Sequence, residues 1–574
     1  MLLRLPRRTL LHLALILLAA CSLRLWQLER WLPEFYEEAT PVLQAREFWG
    51  REHFDFNPHF FNYPAFSFHT QFAAQVAVFA GLYAAGDIAS LDEFRRFLER
   101  QLPDVVLLGR VLTVLFDLGS VALVFLLGLR VADRKVGLLA AALLATSALH
   151  VRMAQYVLVD VPLVFFTLLA LLWMIDVVEK GGCAHFIKVG IALGLAASTK
   201  YTAGLLAAPL VAAALWGAAA NGGRAHAYRN LVVAAAVALC CFFAINPYIL
   251  LDFTAFWSDF SYEREHMQIG HFGRGAQHST VSLYAGNLAW AVGVVGGVAL
   301  WGFAANVRQR HVPSLLLYGW IALYVIVLST WEMHGERYLM PVIAIVLLLG
   351  ARAAVVAADQ RPRYRTSIFA VLLVCYLAPQ AYQLSEHYRS VAAVDTRQRV
   401  GDWVEANVAR GSLVALEHYS YYPDRQSDDL LLFRLPFDIL RPEHFAGLYV
   451  LDWYENFDYV LTSSFIYQRY LAEPDRFAVQ LEFYRHLREE WHMVQHVRPN
   501  SGPGPDIVVY RNPHAQRSDG PFPVSLYQGV GGIQLDLLGQ FFADLEFALR
   551  TRGYGARAAS VGETWVLIER LHAH

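Results

Sequence analysis

Stretches of roughly twenty predominantly apolar residues, the length a helix needs to cross a bilayer, recur along this chain up to about residue 384 and then stop. A chain with so much apolar surface either hides it in a very large core or gives it to lipid. With 574 residues, 56% of them hydrophobic and only 17% charged, and a mean hydropathy of +0.36, this one is expected to give it to lipid. Spans are expected near 9–28, 105–129, 136–150, 157–178, 186–199, 202–219, 231–251, 281–304, 313–331, 338–357 and 367–384. The fold class is therefore a polytopic α-helical membrane protein of about eleven spans, with residues 1–387 as its membrane domain. The segment 66–85, "FSFHTQFAAQVAVFAGLYAA", is a rival twelfth span. His69, Gln71 and Gln75 make it amphipathic, so it is read as a helix lying along the interface in the first external loop.

Residues 388–574 read differently. Helical patterns ("TRQRVGDWVEANV", "LGQFFADLEFALRTRG") alternate with short apolar strands ("SLVALEHY", "FDYVLTSS", "DIVVYR", "ETWVLIER"), the signature of a soluble α/β domain. The "GVGG" at 529–532 is too short and isolated for a phosphate loop. The net charge of −2 says nothing about partners, and there is no basic tract to suggest nucleic acid. All five cysteines lie in or beside apolar runs, so no disulfide framework is implied. The start, "MLLRLPRRTLLHLALILLAAC", has the basic opening and apolar core of a signal sequence, but further spans follow and an uncleaved first helix serves the same orientation.

Charge decides the orientation, because short cytoplasmic loops are enriched in Lys and Arg. If 66–85 does not span, the cytoplasmic pieces carry fifteen such residues, from Arg4, Arg7 and Arg8 to Arg361, Arg363 and Arg365. The short external loops carry five: Arg152, Lys200, Arg264, Arg274 and Arg337. Letting 66–85 span reverses the bias. The N-terminus is therefore expected inside, and the C-terminal domain outside, at a plasma or inner membrane.

On that topology the external helix ends collect the polar chemistry. The first external loop opens with "WLPEFYEEATPVLQARE", carrying Glu34, Glu37, Glu38 and Glu47. Later ends carry "LHVRMAQYVLVDVP", "STKYT", "NPYILLDF", "YEREHMQIGHFG" and "WEMHGERYLMP". Charge at membrane depth is costly and marks a site or pathway. The cations Arg152, Lys200 and Arg337, the carboxylates Glu37, Glu38 and Asp160, and His150, His271 and His334 together suit a substrate with an anionic group and a proton to be removed. Each also has a structural role open to it. Lys200 and Arg337 can snorkel to headgroups, the tyrosines and tryptophans can form an aromatic belt, Asp160 can cap a helix, His271 and His334 can be plain loop residues, and the Glu37–Glu38 pair can complement a helix dipole. Asp117, alone within "TVLFDLGSV", fits a hydrogen bond to a neighbouring helix better than a chemical role.

Taken together the motifs are more specific than any one of them. The acidic pair, "NPHFFNYP", "GRVLTVLFDLGSVALVFLLGLRVADRKVGLLAAALLATSALHVR", "QYVLVDVPLVFF", "GLAASTKYTAGLL", "NPYILLDF" and "ERYLMP" resemble the lipid-linked-sugar glycosyltransferases of the GT-C class. The branch they resemble most holds the protein O-mannosyltransferases and the aminoarabinose transferases of lipid A. The resemblance spans roughly residues 10–510 and includes "DTRQRVGDWVEANVARGSLVALEHY" at the start of the soluble domain.

The resemblance implies a cell-envelope enzyme that takes sugar from a polyprenyl-phosphate donor in the bilayer and passes it to an acceptor hydroxyl on a protein, lipid or glycan. In such enzymes an aspartate on the first external loop, usually followed by Glu, is the base; Glu37 falls at that position and Glu38 follows it. Glu is longer than Asp by one methylene, roughly 1.5 Å, where productive geometry tolerates about 0.5 Å, so the local backbone must accommodate it. Lys200 and Arg337, with their neighbours Tyr201 and Tyr338, fall at the donor phosphate, and Asp160 at a second acidic position that orients the acceptor or a cation. His150, Arg152, His271 and His334 are candidate donor or acceptor contacts. No cofactor is implied, and a divalent cation at the carboxylates stays open. Two alternatives remain: a secondary transporter of an anionic substrate, against which stands the lack of an internal repeat, and a non-catalytic receptor for a lipid-linked sugar.

Overall fold

The structure is a computed structural model. It describes residues 5–30, 40–273, 279–421, 430–435, 451–454, 457–499 and 502–514, with a few isolated positions between and beyond these. The chain forms two compact units. The first comprises Met1–Gln268 and His278–Tyr388, the second Ile269–Gln277 and Arg389–His574.

In the first unit, α1 (Arg7–Leu25) is followed by three helices that precede the next long span: α2 (Thr40–Glu47), α3 (Phe66–Ala85) and α4 (Leu91–Arg100). α4 starts where Ser90 caps it, its Oγ accepting from the Glu93 N–H at 3.2 Å, while Glu93 accepts from the Ala89 N–H at 2.7 Å. The long α5 (Leu102–Val131) turns into α6 (Arg134–Ala145), whose first N–H groups are taken by Asp133. α7 (Ala148–Ala154) follows after a 60° bend. The Ala148 N–H freed at this bend donates to Gln380 Oε1 at 2.8 Å, which makes the break tolerable in an apolar setting.

The chain continues through α8 (Asp160–Lys180), α9 (Cys183–Thr199), α10 (Ala207–Gly217) and α11 (Gly223–Ile245). Two short-loop helices, α12 (Tyr248–Leu251) and α13 (Phe253–Ile269), lead to α14 (Thr280–Arg308), α15 (Val312–Leu328), α16 (Met340–Gln360) and α17 (Arg365–Ala392). Among the described residues, seven helical segments are long and apolar enough to cross a membrane, and the bent α6–α7 pair makes an eighth. The other expected spans, 186–199, 202–219 and 313–331, correspond to the shorter apolar helices α9, α10 and α15. α3, the rival twelfth span, is not among the candidate spans.

α16 is the centre of this unit, buried along almost its whole length and packed by α14, α6, α15, α5 and α8. Close helix contact depends on small residues, as is usual where lipid supplies no hydrophobic drive between helices. Gly190 and Gly194, one turn apart on α9, face the Ala234 and Ala238 carbonyls of α11 so closely that a β-carbon would lie 2.6 and 2.7 Å from them. α14 is interrupted at Gly293 (φ 52°, ψ −139°), and α17 carries Pro379 inside it.

A buried ion network ties three helices together. Arg24 of α1 pairs with Asp117 of α5 at 2.5 Å, and Asp117 also accepts from His150 of α7 at 2.9 Å, all three side chains being fully buried. Arg24 further donates to the Ala20 and Ala145 carbonyls. Asp117 is thus an interhelical partner.

The second unit is built on α18 (Thr396–Asn407) and a five-stranded mixed sheet: β1 (Leu413–Leu416), β2 (Leu431–Arg434), β3 (Tyr459–Ser463), β4 (His492–Val497) and β5 (Ile507–Arg511), in the order β2-β1-β3-β5-β4. β1 runs parallel to β2 and β3, and β5 antiparallel to β3 and β4. Val400 and Val404 of α18 pack on Val414, Leu416, Leu461, Ile507 and Val509. The remaining helices are α19 (Ser464–Ala472) and α20 (Ala478–Glu490). The expected elements "ETWVLIER" and, apart from isolated positions, "LGQFFADLEFALRTRG" lie outside the described residues, as does "GVGG".

This unit also claims a stretch that the sequence places in an external loop of the membrane domain. Phe272 stacks against Tyr470 and Phe477, with ring centroids 5.2 Å away in each case, and the Gly273 N–H donates to Glu473 at 2.5 Å.

Candidate functional site

Three breaks in helical structure meet at one end of the first unit. Asp160 is the first residue of α8 and Lys200 is the extended residue that ends α9 (φ −154°, ψ 133°). Arg337 sits in a short 3-10 turn, Glu336–Leu339, before α16. Their side chains converge. Lys200 Nζ donates to Asp160 Oδ1 at 2.8 Å, and Arg337 Nε lies 3.7 Å from Asp160 Oδ2. Asp160 is almost wholly buried, with only 3% of its side chain exposed. The Tyr338 ring takes both cations on its face, with Lys200 Nζ 4.3 Å and Arg337 Cζ 5.5 Å from its centroid. Tyr284 of α14 and Tyr324 of α15 stand close enough to feel the Asp160 charge.

Arg152 is ion-paired with Glu336, next to Arg337 in the chain. The patch therefore brings three cations to two carboxylates, and it lies at the N-terminal ends of α8 and α16, where backbone dipoles also favour an anion. An anionic group arriving here meets fixed positive charge in a partly water-excluded setting.

Tyr201 points elsewhere, its hydroxyl donating to the Phe61 carbonyl at 2.9 Å. It thereby joins Lys200 to the "NPHFFNYP" segment, which is held from several sides. Asn57 donates to Asp252 at 2.8 Å, the Phe61 N–H to Asp259 at 2.7 Å and the Ala65 N–H to Asn246 at 2.7 Å. Asn246 also donates to Ser198, two residues before Lys200, at 2.9 Å. Phe56, Phe61, Tyr63, His69 and Tyr248 line a small aromatic cleft between this segment and "NPYILLDF".

The other two candidate histidines of this unit bond outside the patch. His150 is buried on Asp117, and His334 Nδ1 lies 2.8 Å from the Glu332 carbonyl. His271 belongs to the second unit. Glu37 and Glu38 lie outside the described residues. Among the described residues no group of three or more His, Cys, Asp or Glu side chains is arranged to hold a metal ion.

Side chains absent from the sequence reading grip the chain that leads into the acidic loop. After α1 the backbone turns through Gln27 at a positive φ of 58°. Gln155 Nε2 donates to the Arg24 and Trp26 carbonyls at 3.0 and 2.8 Å, and Arg110 Nη1 donates to those of Leu28 and Arg30 at 2.7 and 2.6 Å. Gln155 is braced in turn by His387 at 2.6 Å. Such bonds to main-chain oxygens leave no local pattern to read. Glu336 did leave one, as an acid inside "HGERYL".

Residues 78–261, which hold α4 to α12, Asp160 and Lys200, match the family model of the dolichyl-phosphate-mannose-protein mannosyltransferases. The matched segment is about a third of the chain, and over it the chain is similar to that family. The match supports a membrane glycosyltransferase with a lipid-phosphate sugar donor over the transporter alternative. Solved structures give the same fold. The archaeal oligosaccharyltransferase AglB from Archaeoglobus fulgidus, in complex with an inhibitory peptide and a dolichol-phosphate, matches with a TM-score of 0.51 and 11% identity. That match covers 99% of this chain and 86% of the other. ArnT from Cupriavidus metallidurans bound to undecaprenyl phosphate matches with a TM-score of 0.51 and 13% identity over 87% of this chain and 97% of that one. At such identities the likeness speaks for the GT-C fold. No curated protein matches at the sequence level.

Proposed function

We propose that this protein transfers a sugar from a polyprenyl-phosphate donor to an acceptor hydroxyl at the outer face of the membrane, with inversion at the anomeric carbon. The observation that carries the reading is the convergence of Lys200 and Arg337 on one buried carboxylate, Asp160, at the ends of broken helices. ArnT binds undecaprenyl phosphate and AglB a dolichol-phosphate, and both share this fold, which supports a polyprenyl phosphate as the donor's carrier here.

The acceptor oxygen attacks the anomeric carbon as the bond from that carbon to the phosphate oxygen breaks. Glu37 takes the hydroxyl proton as general base, and Glu38 supports the loop beside it. The polyprenyl phosphate leaves with one more negative charge than it carried as an ester. Lys200 and Arg337 meet that charge, and Asp160 with the Tyr338 face holds both cations in place beforehand, so little reorganisation is needed as the charge develops. Arg152 adds positive potential from its pair with Glu336. The positive-inside bias of the sequence supports an external position for this patch and for the acidic loop.

Incubating the purified protein with radiolabelled polyprenyl-phosphate sugars and acceptor fractions of protein, lipid and glycan tests the reading. Label is expected to leave the lipid carrier and appear in one acceptor class. Label that stays on the carrier with every donor and acceptor contradicts it.

A further inference from the structure

We propose that Arg352 marks a binding site for the phosphate of an anionic membrane phospholipid, on the side of the membrane unit opposite the Asp160 patch. Arg352 lies in the second half of α16, eight residues before the helix ends at Gln360 and so roughly 12 Å from that end. Arg337 and the patch lie at the other end of the same helix. The flanking sequence, "VIAIVLLLGARAAVVAA", is apolar on both sides.

Arg352 is 9% exposed, and its buried Nε has no hydrogen-bond partner. A guanidinium does not lose its proton, so this charge persists at membrane depth and calls for a counter-ion. The other buried or half-buried cations of the unit have theirs within the protein. Arg24 is met by Asp117, Arg130 by Asp176 and Glu179, Lys200 by Asp160, and Arg110 by main-chain carbonyls. Arg352 forms no ion pair among the described residues.

Its surroundings do not supply one. Tyr318 of α15 is within electrostatic reach, but its hydroxyl, which donates to the Ala299 carbonyl at 2.6 Å, is neutral and supplies no counter-charge. His311, which caps α15 by accepting from the Ser314 N–H, also feels the Arg352 charge. Glu179 reaches His311 too, but it is engaged by Arg130. Arg308 and Arg310 stand in the same turn as His311, so the nearby chain adds positive charge. Ordinary snorkelling does not describe Arg352, because helical side chains lean toward the N-terminus, here toward the bilayer centre, and because the side chain is enclosed. The missing partner is therefore an anion that reaches this depth from the membrane surface. A phospholipid phosphate is such an anion, its tails staying in lipid while its oxygens accept from the small part of the guanidinium that remains exposed.

The test uses the full chain in mild detergent as wild type, Arg352→Leu and Arg352→Lys. Bound phospholipid is counted by native mass spectrometry before and after delipidation, and then as phosphatidylglycerol is titrated back. Wild type is expected to bind phosphatidylglycerol about tenfold or more tightly than Arg352→Leu, with Arg352→Lys in between because it keeps the charge and loses the fork. Equal binding by all three overturns the site. If Arg352→Leu does not accumulate, wild type decides alone, since delipidated wild type that takes up no phosphatidylglycerol also overturns it. Inorganic phosphate that displaces the lipid at equal concentration overturns the lipid assignment in favour of a free anion.

Discussion

The Lys200 ammonium donates to Asp160 at 2.8 Å although the two residues are forty positions apart and sit at the ends of different helices. The pair is enclosed, and truncating either member leaves the other's charge exposed to a poorly solvated setting. Lys200→Ala or Arg337→Ala is expected to remove a charge-assisted contact worth about 1.5–3 kcal/mol, weakening donor use by roughly one to two orders of magnitude. Asp160→Asn is expected to loosen both cations and raise the donor KM. Steady-state kinetics against donor concentration check this, and unchanged donor kinetics in Lys200→Ala and Arg337→Ala return both residues to the role of headgroup anchors.

Arg110 and Gln155 hold four carbonyl oxygens of residues 24–30, directly before the acidic loop begins. If the clamp sets where that loop starts, Arg110→Ala and Gln155→Ala lower kcat by roughly tenfold to a hundredfold while donor KM changes little, since a displacement of about 1 Å costs that much in positioning. A thermal midpoint like that of wild type separates this from loss of fold, which also lowers the apparent kcat at unchanged KM.

The Arg24–Asp117–His150 network has no exposed member. Asp117→Ala strands a buried guanidinium and is expected to cost about 3–5 kcal/mol, seen as a lowered thermal midpoint and poor yield in detergent. Replacing Ser22, whose hydroxyl is exposed and bonds only within its own helix, is the matched control and is expected to change little.

Burial pushes the Glu417 carboxyl up to about 8, against the lowering effect of hydrogen bonds from Tyr484 and the Ser463 N–H. The folded state therefore binds a proton more tightly than the unfolded state. Its contribution to stability is fully present below the ordinary glutamate value of 4.5 and is lost as pH rises toward 8. Glu417→Gln is expected to flatten this part of the stability profile and to be more stable than wild type at pH 8. Thermal unfolding of the full chain across pH 5–8 gives the answer.

Much of the fold was legible because lipid imposes simple rules. Apolar runs became helices, and the breaks at Ser147, Lys200 and Gly335 fell beside polar residues. In the second unit β1, β3 and β5 were legible as apolar runs, whereas β4, "HMVQHV", alternates polar residues at a sheet edge and β2 is only four residues long. The contact of Phe272 with Tyr470 and Phe477 depends on residues about two hundred positions away and leaves no trace near Phe272. At the candidate site, charge type and helix-end position singled out Asp160, Lys200 and Arg337. The Arg110 and Gln155 clamp was not legible, because an arginine inside an apolar helix looks the same whether it meets a carboxylate, a carbonyl or a lipid.

The role of Glu37 as general base is tested most directly by single-turnover measurement of Glu37→Gln with saturating polyprenyl-phosphate sugar. The amide keeps the side chain's shape but cannot take the acceptor's proton, so the transfer rate is expected to fall by roughly 10²–10⁴ while donor binding persists. A Glu37→Gln enzyme that transfers sugar at the wild-type rate contradicts the assignment.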